Sequence, residues 1–288
     1  SNLESPRLAR GERAVHAVVC LKQVPDSLDL KINPETGTLI RAGVMSVINL
    51  YDLHALEEAL RLKDRLGGRV SVITMGPPAA EQSLREALSL GADQAILISH
   101  PALGGADTLA TSLVLAQAIR KLAEQEPVDL VLTGKQTSDS DTAQVGPGIA
   151  TRLGFTQLTY VMRIDWLELA SQSIQVRRLL EDRVEVVRGR LPALLSVLKE
   201  INQPRRASLP GVLRAARAQT PVWNHQTLGL EREQVGLRGS PTQVARVFAP
   251  PSRPQGEMLE ANGDPERAVE ELWAKLVGRG LLEEVWRG

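Results

Sequence analysis

Four short apolar runs, each followed by a stretch with helical spacing, constrain this chain more than any other feature. The runs are residues 14–21 (AVHAVVCL), 69–75 (RVSVITM), 94–99 (QAILIS) and 128–133 (VDLVLT). All are rich in β-branched residues and bounded by turn formers or polar residues, which predicts strands buried on both faces. Between them lie helical periods. Asp52 is predicted to cap a helix with Leu53, Leu56 and Leu60 on one face, a Glu57–Arg61 pair on another, and Gly67-Gly68 as its end. A second helix carries Ala80, Leu84 and Leu88 and closes at Gly91. A third is capped by Asp107, runs to about Leu122 and lines one face with Leu109, Leu113 and Ala116. This alternation predicts an α/β fold, a parallel sheet flanked by helices.

Ligands of such sheets sit beyond the carboxyl ends of the strands, where strand order reverses. The first and fourth runs are the predicted neighbours there. After the fourth run comes a small polar loop, residues 134–140, and Asp141 is predicted to cap the next helix. Unpaired N–H groups and the positive end of a helix dipole suit a phosphate. Lys22 and Lys135 add charge, and Thr137, Ser138, Ser140 and Thr142 add hydroxyls. An ordinary βα loop has the same composition, so chemistry alone leaves both readings open.

Beyond Gly154 the pattern changes. Residues 158–166, 173–180 and 183–188 alternate apolar and polar side chains, as half-exposed antiparallel strands do. Residues 191–198 are apolar again, as a strand rejoining the sheet would be. Pro25 is expected to stop regular structure after the first strand, with short pieces following over residues 27–48. Residues 202–222, rich in proline and arginine, read as a functional or mobile loop. Residues 223–288 read as an extended C-terminal arm packing on another chain, with a terminal helix from Asp264 that carries Val269, Leu272 and Leu276. The α/β domain is thus expected over residues 14–222. Residues 1–13 read as a disordered leader or an expression scar.

Several functions are disfavoured. Lysine plus arginine and aspartate plus glutamate both number 34, so no net field favours nucleic acid or a basic partner. The single cysteine, Cys20, forbids an internal disulfide and a cysteine metal cluster, which suits a reducing, cytosol-like compartment. No apolar run approaches the roughly 18–20 residues that span a membrane. There is no Walker A sequence, and Thr151 occupies the third glycine position of the GxGxxG-like start at Gly146-Pro147-Gly148. His16, His54, His100 and His225 are scattered, without an evident carboxylate or second ligand. Cys20 reads as a packed thiol rather than a nucleophile. Asp139 and Asp141 read as capping or ribose contacts. No catalytic constellation emerges.

Several strings, in order and at consistent spacing, resemble the β subunit of electron transfer flavoproteins. They are Leu21-Lys22-Gln23-Val24-Pro25-Asp26, residues 49–63 (NLYDLHALEEALRLK), Met75-Gly76-Pro77-Pro78, residues 87–93 (ALSLGAD), residues 105–112 (GADTLATS) and residues 134–147 (GKQTSDSDTAQVGP). The resemblance implies an adenine-nucleotide-hydrolase-like α/β fold. It also implies a heterodimer with a flavin-holding α subunit, and electron relay between dehydrogenases and a quinone reductase. A nucleotide site is implied at Cys20, at Asn49, Leu50, Tyr51 and Asp52, and at Met75, Asp107, Thr108 and Thr111. It continues over Gly134, Lys135, Gln136, Thr137, Ser138, Asp139, Ser140, Asp141, Thr142, Ala143, Gln144 and Val145. Leu209, in Ala207-Ser208-Leu209-Pro210, resembles the leucine that plugs into an apolar pocket of the dehydrogenase.

The 105–112 and 141–147 strings and the tail with Arg246-Val247-Phe248-Ala249-Pro250 resemble the bifurcating and Fix-type branch. In that branch this subunit binds a second FAD, which splits the electrons of NADH between a quinone reductase and a ferredoxin. The respiratory type holds a structural AMP instead. The branch implies a bacterial cytoplasmic protein connected with nitrogen fixation, without nucleic-acid binding or membrane insertion. A nucleotide sensor resembling universal stress proteins is the rival on the same fold.

Overall fold

The computed structural model describes residues 14–26, 46–245, 256–261 and 263–282. The first run forms β1 (Val15–Leu21), all seven residues of which are buried. Val15, Ala17, Val19 and Leu21 enter one hydrophobic cluster, while Val18 and Cys20 enter a second. The two-residue period of the strand therefore meets a core on each side, as expected for a doubly covered sheet. Each fully buried leucine or isoleucine there adds roughly 1.5–3 kcal/mol.

Two short strands follow, β2 (Gln23–Pro25) and β3 (Ser46–Ile48), paired antiparallel to each other. Pro25 thus closes a small ladder, where the sequence suggested an immediate stop; an end position tolerates its missing N–H. The pieces expected over residues 27–45 lie outside the described residues. Helix α1 (Leu50–Leu66) is preceded by Asn49, whose carbonyl accepts the Leu53 N–H at 3.0 Å. Asp52 therefore stands in the first turn, not at the cap where it was expected.

The chain then alternates as read: β4 (Gly68–Met75), α2 (Glu81–Leu90), β5 (Gln94–Ile98), α3 (Thr108–Ala123), β6 (Leu130–Gly134) and α4 (Val145–Leu153). Asp107 caps α3, its Oδ1 accepting the N–H groups of Leu109 and Ala110 at 3.0 Å each. The buried stripe of α3 is Ala110, Val114, Ala118 and Ile119; Leu109 faces outward at 51% exposure. Of the expected face, Leu113 and Ala116 do pack in the second cluster, and Leu109 alone turns outward. The cap expected at Asp141 is also corrected. Asp141 has φ +56°, and α4 begins four residues later at Val145.

The alternating segments form the antiparallel set β7 (Thr156–Glu168), β8 (Ser173–Leu179) and β9 (Val184–Arg190). β10 (Ala193–Val197) returns between β6 and β7, parallel to both. The segment read as a loop contains α5 (Leu209–Arg217), capped by Ser208. β11 (Val222–Trp223) follows and pairs parallel to β5. The main sheet has nine strands in the order β11-β5-β4-β1-β6-β10-β7-β8-β9. β1 and β6 are neighbours, as predicted.

Leu228, Leu230 and Val235 are buried in the cluster that includes α3. The segment after residue 222, expected as an extended arm, therefore packs on its own chain at least to Val235. The described residues from 256 onward belong to a second unit. Its helix α6 (Pro265–Gly278) is capped by Asp264, and Val269, Leu272 and Trp273 are exposed on it. Among the described residues no helix is long and apolar enough to cross a membrane.

Candidate functional site

The site begins where β1 and β6 end side by side. α1 packs into one cluster and α3 and α4 into the other, so their first turns stand on opposite sides of this edge. Here Asp52 joins three elements. Its Oδ2 accepts the Lys22 N–H at 2.8 Å and its Oδ1 accepts the Gly134 N–H at 2.9 Å. One carboxylate in the first turn of α1 thereby fixes the exits of β1 and β6. Burial pushes the Asp52 carboxyl up to about 7, against the downward pull of the Lys22 and Gly134 N–H groups, Asn49 and the Lys22 charge. A side chain at Gly134 has no room: its Cβ would stand 2.5 Å from Asp52 Oδ1 and 2.6 Å from Tyr51 Cβ.

Asn49 ties down the loop that follows. Its Nδ2 donates to the Gln136 carbonyl at 2.8 Å, and its Oδ1 accepts the Ser138 N–H at 3.2 Å. The side chain is fully buried, so both ends of the amide are satisfied within the fold. The loop also braces itself. Thr137 and Ser140 hydroxyls meet at 2.7 Å, the Asp141 N–H donates to the Thr137 carbonyl at 2.9 Å, and Gln136 Nε2 bonds the Asp141 carboxylate. Asp141 and Ala143 both have φ +56°, a conformation that costs a side-chain-bearing residue of order 1–3 kcal/mol. Such strain persists only where the surroundings over-determine it.

The two lysines differ in surroundings. Lys22 Nζ lies 2.6 Å from Asp139 Oδ1 and donates to Ser140 Oγ at 3.2 Å. Partial burial raises the Asp139 carboxyl, but the Lys22 ammonium and neighbouring hydroxyls outweigh it and hold the group below its ordinary range. Lys135 donates its backbone N–H to the Val197 carbonyl at 2.9 Å, and its ammonium lies 5.1 Å from the centroid of the Tyr160 ring.

α3 and α4 start beside each other: Thr108 Oγ1 donates to Gln144 Oε1 at 3.2 Å. Their approach depends on glycine, since a Cβ on Gly148 would lie 2.8 Å from Ser112 Oγ. Beneath α4, Thr133 Oγ1 is buried without a hydrogen-bond partner among the described residues. Asp107 is more engaged than the sequence suggested. Its N–H donates to Ser240 Oγ at 2.8 Å, and its Oδ2 accepts from Thr242 N–H and Oγ1 at 3.1 and 2.8 Å. Burial raises the Asp107 carboxyl, yet the bonds from Ala110, Thr242 and Leu109 bring it below its ordinary range. The Asp107 and Asp141 N–H groups are therefore both occupied.

Of the residues singled out, Asn49, Asp52, Thr108, Gly134, Gln136, Ser138 and Gln144 gather at this edge through direct bonds, with Asp139 and Ser140 held by Lys22. Leu50 is exposed and Tyr51 half-buried in the first turn of α1. Thr111 sits in the first turn of α3, its N–H donating to the Asp107 carbonyl at 2.9 Å. Thr142 is exposed in the loop, and Val145 opens α4. Met75 ends β4 half-buried against the second cluster, where Cys20 is buried. Burial, reinforced by the nearby Asp52 charge, pushes the Cys20 thiol far above its ordinary range, so it stays an unreactive thiol. Leu209 lies apart, 73% exposed at the start of α5.

Sequence reasoning missed Ser240, Thr242, Tyr160 and Ser196. The Gly239-Ser240-Pro241-Thr242 run signals a turn but not its bond to a residue 133 positions away. Period-two alternation placed Tyr160 in a strand and gave no hint of its φ of +58°.

Residues 36–228 match the family described as Electron transfer flavoprotein domain. The chain is 51% identical over 265 residues to Protein FixA of Azotobacter vinelandii, covering 91% of this chain and 94% of that protein. It is 49% identical over 243 residues to the Caffeyl-CoA reductase-Etf complex subunit CarD of Acetobacterium woodii, covering 84% and 90% respectively. With the Electron transfer flavoprotein subunit beta of Clostridium acetobutylicum it shares 45% identity over 270 residues, covering 94% and 99%.

Proposed function

The chain belongs to the electron transfer flavoprotein family as a FixA-like β subunit, and on that premise we propose that it binds FAD at the edge formed by β1 and β6. In this reading it works as a heterodimer with an α subunit. It relays electrons from NADH or a dehydrogenase to quinone reductase and ferredoxin acceptors, dividing the pair between them.

One observation carries the binding reading: the first turns of α3 and α4 meet, bonded through Thr108 and Gln144, at the sheet edge where Lys135 follows β6. The α4 N-terminus, which has no side-chain cap, together with hydroxyl donors and a cation suits a pyrophosphate. The buried Thr133 hydroxyl has no partner among the described residues, and glycines 134 and 148 let α1, α3 and α4 bring their first turns close to this edge. Thr108, Thr111, Gln136, Thr142, Ala143 and Val145 would face the phosphates. Cys20, Asn49, Leu50, Tyr51, Asp52 and Met75 would border the adenosine. Flavin, when bound, supplies the redox chemistry, while the protein supplies orientation and electrostatics.

The FixA names of several relatives about 50% identical to this chain support the Fix-type branch over the respiratory one with its structural AMP. The rival sensor reading has no support in these likenesses. Leu209 on α5 is proposed as the anchor for a dehydrogenase, consistent with its exposure.

Replacing Thr142 with glutamate puts a bulky negative charge against the proposed phosphates. The heterodimer carrying Thr142→Glu should be purified with this subunit's nucleotide absent, by acid extraction and mass spectrometry. Full nucleotide content in that variant would refute the placement.

A further inference from the structure

Tyr160 combines three features that regular strand pairing does not require. Its backbone is left-handed, with φ +58°, inside β7. Asparagine tolerates that region far better than a bulky residue does. The strain coincides with a break in register between β10 and β7 across Leu195 and Val197. There the Tyr160 N–H turns to Ser196 Oγ at 3.4 Å. The ring so presented lies 5.1 Å from Lys135 Nζ. Val197 is the partner of both Gly134 on β6 and Val161 on β7, so ring and ammonium stand at the same carboxyl edge as the loop after β6.

The ammonium at this edge has a specific electrostatic status. Lys22 is neutralised by Asp139 at 2.6 Å. Lys135 has no carboxylate within ion-pair distance among the described residues; the negative face of an aromatic ring holds it instead. An ion pair would cancel its charge, whereas a ring orients it and leaves it available to an anion.

We infer that Tyr160 is a positioning residue: its strained backbone presents a ring that holds the Lys135 ammonium for the negatively charged phosphates of the bound nucleotide. This deepens the proposed binding reading and rests on it. Tyr160 touches Lys135 and acts through it.

The test uses the heterodimer with its α subunit, stripped of nucleotide, and titrates AMP and adenosine by calorimetry. Tyr160→Asn keeps a residue compatible with left-handed backbone and removes the ring; Tyr160→Phe keeps the ring. AMP affinity should fall about threefold to tenfold in Tyr160→Asn, in line with the strength of such a contact, and stay near wild type in Tyr160→Phe. Adenosine, which lacks the phosphate, should bind all three proteins equally. Lys135→Met should also weaken AMP alone, and adding Tyr160→Asn to it should cost nothing further. Equal weakening of AMP and adenosine would make Tyr160 merely structural and overturn the inference. So would unchanged AMP binding in Tyr160→Asn while Lys135→Met loses it. A wild-type heterodimer that takes up neither compound would overturn the binding reading itself, and this inference with it.

Discussion

Asp52 and Gly134 concentrate the physics of the site into one contact. The carboxylate accepts two backbone N–H groups from the exits of β1 and β6, and the glycine lets the first turn of α1 come close enough for it to do so. Gly134→Ala should therefore destabilise the fold by about 2–3 kcal/mol, because the clashing atoms include the Asp52 backbone N at 2.8 Å. Urea denaturation checks this; an unchanged midpoint would show that α1 can retreat freely. The raised carboxyl of Asp52 has a consequence with a definite sign. In the folded state it titrates near 7 against an ordinary value of 3.8, so the folded protein holds the proton more tightly than the unfolded chain. Stability is then lost as pH rises through that window, by about 2–3 kcal/mol between roughly pH 5 and pH 8. Asp52→Asn, which cannot ionise, should lack this component when denaturation is followed across pH. An identical slope in both proteins would contradict the assignment. Residue types at this edge were legible in sequence, since polar loops after apolar runs are visible there. Asp52 as a tie, rather than a cap, was not. The difference lies in which backbone N–H groups surround it, and those come from residues 30 and 82 positions away.

At the scale of elements, α1 links the edge formed by β1 and β6 to the segment leading to α5. Its first turn holds the β1 and β6 exits, and its next turns hold the base of the segment leading to α5. Asn202 bonds His54 and Glu58, while Glu57 accepts from Arg61 at 2.8 Å and from Arg205 Nε at 2.8 Å. α5 is seated on α2 at a point where Gly211 meets the Ser89 carbonyl; a Cβ there would be 2.2 Å from that oxygen. Leu209 is thus displayed from a fixed helix. Leu209→Ala should raise KM for a dehydrogenase donor about tenfold with nucleotide content and kcat unchanged, as loss of one apolar anchor does. A fall in nucleotide content instead would place Leu209 in the binding site. The helix was hidden in sequence because Pro210 and the arginines made the segment look loop-like. Proline at a first helical turn, with Ser208 accepting the Gly211 N–H, is nonetheless an ordinary start. β2, β3 and β11 were hidden for a different reason: three residues or fewer carry no readable period.

Across the whole molecule, the strand order follows from two-sided burial of β1, β4, β5 and β6, which their apolar runs announced. The insertion of β10 between β6 and β7 was only partly announced, because an apolar run does not say which neighbour it joins. The central claim concerns what the edge of this sheet holds, and nucleotide stoichiometry tests it most directly. The chain would be co-produced with its α subunit, the nucleotides released by acid and quantified by mass spectrometry. Two FAD per heterodimer and no AMP is the expected result. One FAD with one AMP would contradict it, leaving electron transfer to the α subunit's flavin and making this subunit its scaffold.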